Sequence, residues 1–345
     1  MVQGQAHAPN SRSPGNQASG DQQFYAAIDL GTNNCRLLVA RPSADGFAVV
    51  DAFSRIVRLG EGLAANGCLA EEAMERTLDA LQVCAEKIAR WNVVGQRHIA
   101  TEACRRAANC SAFVGQVASR TGLRLEIIPT LEEARLALLS CAPLLDRRAR
   151  HGLLIDIGGG STEVIWLAVE GQRTTIIDLI SLPYGVVTMS ESAMAHIADD
   201  RLPASAYERM VATVAGDLEG FDRAHGIAAL LAAGEVQMVG TSGTVTTVAA
   251  INLGLRRYAR GRVDGTSIGM EAITRVSAQL AAMSLGELAR NPCIGTDRAD
   301  LVLAGCAILE GILRRWPAPT VVVADRGLRE GVLLELMRPK FAALA

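Results

Sequence analysis

Short apolar runs of strand length alternate along this chain with longer stretches whose apolar residues recur at helical spacing. "FYAAIDLG" is followed after a turn by "CRLLVARP" and "FAVVDAF", three strand-like runs in succession. "AEEAMERTLDALQVCAEKIARW" then spaces its apolar residues three and four apart, which predicts a helix within the segment from Leu69 to Trp91. "VGQRHIATEA" and "LRLEIIPT" read as strands, each leading into a helix. Near residue 150 the pattern restarts, and "GLLIDIGGG", "EVIWLAV" and "TTIIDLISL" echo the opening at Phe24. In both openings, "AIDLGTNN" and "LIDIGGGST", an aspartate ends an apolar strand and a glycine turn follows, with Asp156 lying 127 residues beyond Asp29. The alternation predicts an α/β protein of two similar halves, 23–148 and 149–345, facing each other across a cleft.

Composition narrows the function classes. At 345 residues, half of them apolar, the chain can build two sizeable cores. No run approaches the roughly 18 apolar residues of a membrane span. Residues 1–22 are rich in Gln, Gly, Ser, Pro and Asn, lack the apolar stretch of a signal peptide, and read as a disordered tail. A net charge of -2 argues against bulk electrostatic binding of nucleic acid or an anionic membrane. The eight cysteines never form CxxC, and several fall inside apolar patterns, so they read as buried thiols of a cytoplasmic protein rather than as a zinc site. Among the 34 basic residues only Lys87 and Lys340 are lysines. Arginine suits bidentate phosphate contacts, but coding bias explains the excess equally well, so only local clusters count.

The glycine turns carry the chemistry. Glycine admits positive φ and removes the side chain that keeps a ligand from the backbone amides. Successive amides in such a turn form an anion nest, to which Ser and Thr hydroxyls add donors, so Gly158, Gly159, Gly160, Ser161 and Thr162 fit a phosphate. Asp156 and Glu163 flank that anion and would repel it unless a hard divalent cation, Mg²⁺, stood between them. Asp29, Gly31, Thr32, Asn33 and Asn34 repeat the arrangement. A third loop, "GTSGTVTT" with Gly240, Ser242, Gly243 and Thr244, aims a helix N-terminus at the same cleft. None of the three loops is GxxxxGK[ST] or GxGxxG, which argues against P-loop and Rossmann nucleotide sites.

The order "AAIDLGTNNCRLLVA", "ATEACRRA", "EEARLALL", "LLIDIGGGSTEV", "GTSGTVTT", "RADLVLAGCAIL" and "ADRGLREGVLLE" resembles the exopolyphosphatase and guanosine pentaphosphate phosphatase (Ppx/GppA) family, a branch of the actin-like ATPase superfamily, over residues 24–338. The resemblance implies two actin-like (ribonuclease H-like) domains, with the C-terminal helix returning to the first. It also implies dependence on Mg²⁺, a homodimer, and removal of terminal phosphate from inorganic polyphosphate or from the alarmone pppGpp. Longer members carry an HD-type helical domain after this region, so the chain looks like the short form. Carried over by position, Glu133 in "EEARL" matches the carboxylate that orients and deprotonates the attacking water, with adjacent Glu132 open to a one-residue slip. Arg105 matches an arginine at the phosphate, Arg106 reads as a surface residue, and Asp156 and Glu163 match metal-binding positions. Many members read DLGSNS at the first loop. Here Thr32 keeps one hydroxyl and Asn34 replaces the other.

Without the resemblance, Glu132 and Glu133 read as the acidic first turn of a helix. His98 falls in a strand-like run and reads as structural. "LRRYARGR" is read as the close of the helix after the third loop, with Arg256, Arg257, Arg260 and Arg262 either a solvated helix end or a track for a polyanion that Arg55 and Arg58 continue. Three functions stay open: a phosphoanhydride hydrolase acting on polyphosphate, with pppGpp as the rival substrate; a phosphotransferase or ATPase of the same superfamily; and a non-catalytic alarmone sensor.

Overall fold

The computed structural model describes residues 23–44 and 46–344, and the tail expected over residues 1–22 lies outside the described residues. The first sheet contains β1 (Phe24–Leu30), β2 (Asn34–Ser43), β3 (Gly46–Ile56), β4 (Val93–Ala100) and β5 (Leu125–Ile127), in spatial order β3-β2-β1-β4-β5. The second contains β6 (His151–Ile157), β7 (Thr162–Glu170), β8 (Arg173–Leu182), β9 (Val236–Thr241), β10 (Ser267–Gly269) and β11 (Thr320–Ala324), in order β10-β11-β9-β6-β7-β8. The sheets share one plan. An antiparallel meander, β1-β2-β3 or β6-β7-β8, is extended from its first strand by parallel partners, β4 and β5 or β9 and β11. The repeated opening in the sequence is thus a repeated half-sheet.

Each sheet is covered on both faces, so its inner strands are apolar in nearly every position. Ala26, Ile28 and Leu30 point to an outer core with the helices Glu71–Ala89 and Cys110–Thr121. Leu153, Ile155 and Ile157 point to the outer core of the other half, under the helices Ala204–Asp217, Ser242–Asn252 and Val302–Arg315. Alternate residues, Tyr25 and Ala27 in β1 and Leu154 in β6, meet a central core shared by both halves. Two helices fill it: Thr130–Cys141, with Leu136 and Ala137, and Leu328–Leu344, with Val332, Leu333 and Met337. They touch backbone to backbone, since a Cβ on Gly331 would stand 2.2 Å from the Leu136 carbonyl oxygen. The Leu328–Leu344 helix therefore packs on Thr130–Cys141, β1 and β2 of the first half.

The helix predicted within Leu69 to Trp91 runs Glu71–Ala89 and buries Leu78, Leu81, Cys84 and Ile88. Seven of the eight cysteines are buried and Cys68 is exposed. No helix of the described residues is long and apolar enough to cross a membrane. "LRRYARGR" does not close the helix after the third loop. That helix ends at Asn252, Gly254 takes φ +62°, and Leu255 N donates back to the Ala250 carbonyl at 3.1 Å. This left-handed glycine stop turns residues 255–259 into a loop before the single turn Arg260–Val263.

Candidate active site

The site is built on the turns that leave β1 and β6. Gly31 N donates to the Asn34 carbonyl at 2.9 Å, and Gly158 N donates to the Ser161 carbonyl at 3.0 Å, the same turn 127 residues apart. Each is clasped from behind by the chain that follows its meander. Val57 N and Arg58 N donate to the Asn33 carbonyl and Gly60 N to that of Thr32, while Val186 N and Val187 N donate to the carbonyls of Gly158 and Gly159 at 2.9 and 2.8 Å. The turns meet at the base of the cleft, where a Cβ on Gly160 would lie 2.6 Å from Thr32 Oγ1 and one on Gly159 3.0 Å from Asn33 N. Glycine is needed here for approach rather than for φ. Above this contact a cavity of about 950 Å³ opens between the halves.

The floor of the cavity carries unpaired polar atoms. Asp29 Oδ1, Thr32 Oγ1, Asn33 Oδ1 and Ser242 Oγ are buried without a partner, and all four residues line the cavity. Buried polar groups are ordinarily paired, so a cluster of orphans at one place is matched to a ligand rather than to the fold. Ser242 adds backbone strain. It joins β9 to the helix Ser242–Asn252 at φ +85°, a region that non-glycine residues enter at a cost and mostly at functional sites.

Cross-strand register fixes the charges. In the second half Asp156 sits directly opposite Glu163, and at the equivalent place in the first half Asp29 sits opposite Arg36. One half thus offers two carboxylates where the other offers a carboxylate and a guanidinium. Burial, followed by repulsion from Glu163 and Asp29, pushes the Asp156 carboxyl up to about 7. Burial likewise raises Asp29 and Glu163. Glu163 lies behind the cavity wall, 2% exposed, where its Oε1 accepts a hydrogen bond from Ser181 Oγ at 2.8 Å.

Glu133 and Glu132 have parted company. Glu133, in the first turn of the Thr130–Cys141 helix, is buried against the cavity and accepts from Arg105 Nη1 at 2.6 Å. Burial, then the Glu163 charge, raises its carboxyl well above the ordinary range, and Arg105 offsets only part of this. Glu132 points to the other side, into ion pairs with Arg135 at 2.7 Å and, more weakly, Arg97 at 2.8 Å that hold it down at about 2. Of the two adjacent acids, only Glu133 faces the cavity.

Other residues singled out from sequence take different places. Arg105, expected at a phosphate, is turned to Glu133 and Glu102 and does not line the cavity. The Thr162 hydroxyl is buried and donates to the Tyr184 carbonyl at 2.9 Å, because the first residue of β7 points away from the turn. Gly240 is a β9 residue whose missing Cβ makes room for Val245 and Val321. Gly31, Asn34, Gly243 and Thr244 do line the cavity. Arg256, Arg257 and Arg262 stand outside the lining, and Arg260 is bound to the Asp325 carbonyl and to Glu330. Arg55 and Arg58 line the cavity, but Arg58 is forked onto Asp300 of the other half at 2.8 and 3.0 Å.

Further guanidiniums, none of them a candidate from the sequence, also line the cavity. Arg36, Arg298, Arg326 and Arg329 line the cavity, as does the acid Glu102. Arg326 is forked onto Asp264, and Arg298 is braced by the carbonyls of Cys293 and Ile294. Burial lowers the pKa of both Arg298 and Arg329, Arg329 despite an ion pair with Glu330 at 3.9 Å. The available signal is position: Arg36, on β2, lies directly opposite Asp29 of β1, and Arg326 and Arg329 follow the apolar strand β11.

Residues 38–340 match the Ppx/GppA phosphatase family. The chain belongs to this family. A relative from Photobacterium profundum, named guanosine-5'-triphosphate,3'-diphosphate pyrophosphatase, is 29% identical over 314 residues, 91% of this chain. The chain spans 59% of that relative's length. Among solved structures, the Aquifex aeolicus Ppx/GppA family member is 27% identical with a TM-score of 0.74, over 93% of this chain and 99% of its own. An exopolyphosphatase from Cytophaga hutchinsonii is 24% identical with a TM-score of 0.81, over 92% and 98%, and shares the fold.

Proposed function

We propose that this member of the Ppx/GppA family hydrolyses the terminal phosphoanhydride bond of inorganic polyphosphate, with Glu133 positioning and deprotonating the attacking water. The observation that carries the reading is one cavity lined by the orphaned hydroxyls of Thr32 and Ser242, the buried carboxylate of Glu133 and the guanidiniums of Arg36, Arg298 and Arg329. A loose phosphoryl transition state gains most from in-line positioning and charge neutralisation. A buried carboxylate of raised pKa beside the phosphate turns suits a general base. A solved structure described as an exopolyphosphatase-like protein, 29% identical over 93% of this chain, supports the polymer as substrate.

The donor set fits Mg²⁺. Asp29 Oδ1 has no partner, and burial raises both Asp29 and Asp156, Asp156 to about 7, so ionising these carboxyls in the floor calls for a counter-charge that a hard cation would supply. No three His, Cys, Asp or Glu of the described residues cluster at ligand spacing. Mg²⁺ commonly takes only one or two carboxylates and fills its shell with water and phosphate oxygens. Asp156 and Asp29 would hold it, with Glu163 behind them, and the ion would neutralise charge on the phosphates.

The second reading is pppGpp, favoured by the relative named for that substrate and by Tyr258, an aromatic wall of the cavity whose hydroxyl donates to Asp325. The test follows phosphate released with Mg²⁺ from long polyphosphate, pppGpp or ATP, in wild type and in Arg36→Ala, Arg298→Ala and Arg256→Ala variants. Polyphosphate turnover whose KM rises in the first two variants and not in the third supports the reading. Turnover of pppGpp alone moves it to the nucleotide, and ATP consumption that needs an acceptor points to a phosphotransferase.

A further inference from the structure

The arginine beside the base is already occupied. Arg105 Nη1 donates to Glu133 at 2.6 Å and to the Ile128 carbonyl at 3.0 Å, while Nη2 and Nε converge on Glu102 Oε2 at 2.9 and 3.2 Å. A guanidinium has five N–H donors, and these contacts engage four of them. A bidentate grip on a phosphate therefore requires that Arg105 release at least one of these contacts, three of which are to its two acids.

Glu102 is placed to prevent that. It opens the helix Glu102–Arg106 immediately after β4, three residues from Arg105 and on the same face. Its stem lies under the second glycine turn, since a Cβ on Gly160 would stand 3.1 Å from Glu102 Cγ. Both side chains of the pair are 16% exposed. The neighbouring Arg106 is more exposed and 3.8 Å away, too distant to compete.

We propose that Glu102 is a positioning residue for the hydrolytic step: it anchors one edge of Arg105 so that the other edge aims the Glu133 carboxylate, and it keeps Arg105 from capturing substrate phosphate. The inference rests on the reading of Glu133 as the group that positions water. Loss of Glu102 frees a guanidinium beside an anion-binding cavity, so turnover falls while ground-state binding strengthens. A group that merely supports the fold would not produce that split.

The experiment compares wild type, Glu102→Gln, Glu133→Gln and the double variant by phosphate release, and measures tripolyphosphate binding by calorimetry in the two variants that carry Glu133→Gln. Glu102→Gln is expected to lower kcat by about 10- to 100-fold, the scale of a misplacement of about 1 Å, with KM unchanged or lower. Its effect should vanish in the Glu133→Gln background, because it acts through that residue. The double variant should bind tripolyphosphate more tightly than Glu133→Gln alone, a readout that needs no turnover. Wild-type kcat in Glu102→Gln, a raised KM at constant kcat, or weaker binding in the double variant would overturn the inference. If Glu133→Gln itself retains full turnover, the reading of the base fails, independently of Glu102.

Discussion

Gly185→Ala tests how tightly the second phosphate turn is held. Gly185 sits at φ −129°, ψ −162°, a conformation open to alanine, so the substitution adds volume without backbone strain. The new Cβ would stand 2.3 Å from the Gly158 carbonyl oxygen and 2.6 Å from the Gly159 carbonyl carbon. Ordinary contacts are near 3.5 Å, so the turn must retreat by about 1 Å. It has nowhere to go, because Gly159 is already against Thr32 and Asn33 of the other half. Overpacking of this kind costs about 1–3 kcal/mol. The retreat also stretches the bonds from Val186 N and Val187 N, each worth about 1 kcal/mol. A displacement of about 1 Å at a reacting group costs on the order of 10² in rate. Steady-state phosphate release and a thermal melt measure both effects. Gly115→Ala is the control, a glycine in the Cys110–Thr121 helix with open space around it, where alanine should stabilise by about 1 kcal/mol. Activity within twofold of wild type in Gly185→Ala would show that the turn is compliant and refute the packing argument.

Glu133→Gln should lose a factor on the order of 10²–10⁴ in kcat, whereas Glu132→Gln should leave kcat within about threefold, since its partners lie on the other face. Comparable losses from both would remove the distinction between the two acids. His98, buried in the core with neither ring nitrogen bonded, is held by that burial at about 4, below its ordinary 6.5. The unfolded chain therefore takes up its proton first as pH falls, and folding should lose about 3 kcal/mol between pH 6.5 and 4 from this residue alone. The difference in Tm between wild type and His98→Leu should shift across that window, and a constant difference would contradict the assignment. Ser242→Gly should relieve at least about 1 kcal/mol of strain and raise Tm, while removal of the orphaned Oγ raises KM; an unchanged KM would separate this hydroxyl from the ligand.

The sequence displays what local rules determine. An aspartate closing an apolar strand before a glycine turn is visible at Asp29 and Asp156, because strand alternation and turn chemistry act over a few residues. The choice between Glu132 and Glu133 is not, since adjacent helix residues point about 100° apart and only the docking of that helix says which one meets the cavity. Arg36, Arg298 and Arg329 come from three distant segments and are assembled by tertiary contacts alone. The run "LRRYARGR" misled for the opposite reason. Its charge density is a local signal, but Gly254 in the left-handed region turns the chain before those arginines can extend the helix. Arg105, matched by motif to an arginine at the phosphate, pairs here with the carboxylates of Glu102 and Glu133, and a motif does not show which anions the fold brings to it.

The Leu328–Leu344 helix lies under β1 and β2, although about two hundred residues separate it from β5, the last strand of their sheet. At synthesis rates of about 5–20 residues per second, the first half waits roughly 10–40 s on the ribosome before the element that seals its inner face has been made. Throughout that interval the apolar face formed by Tyr25, Ala27, Leu38 and Ile99 lacks its cover. The first half thus presents an uncovered apolar face during synthesis and completes its core only when the last helix of the second half has been made.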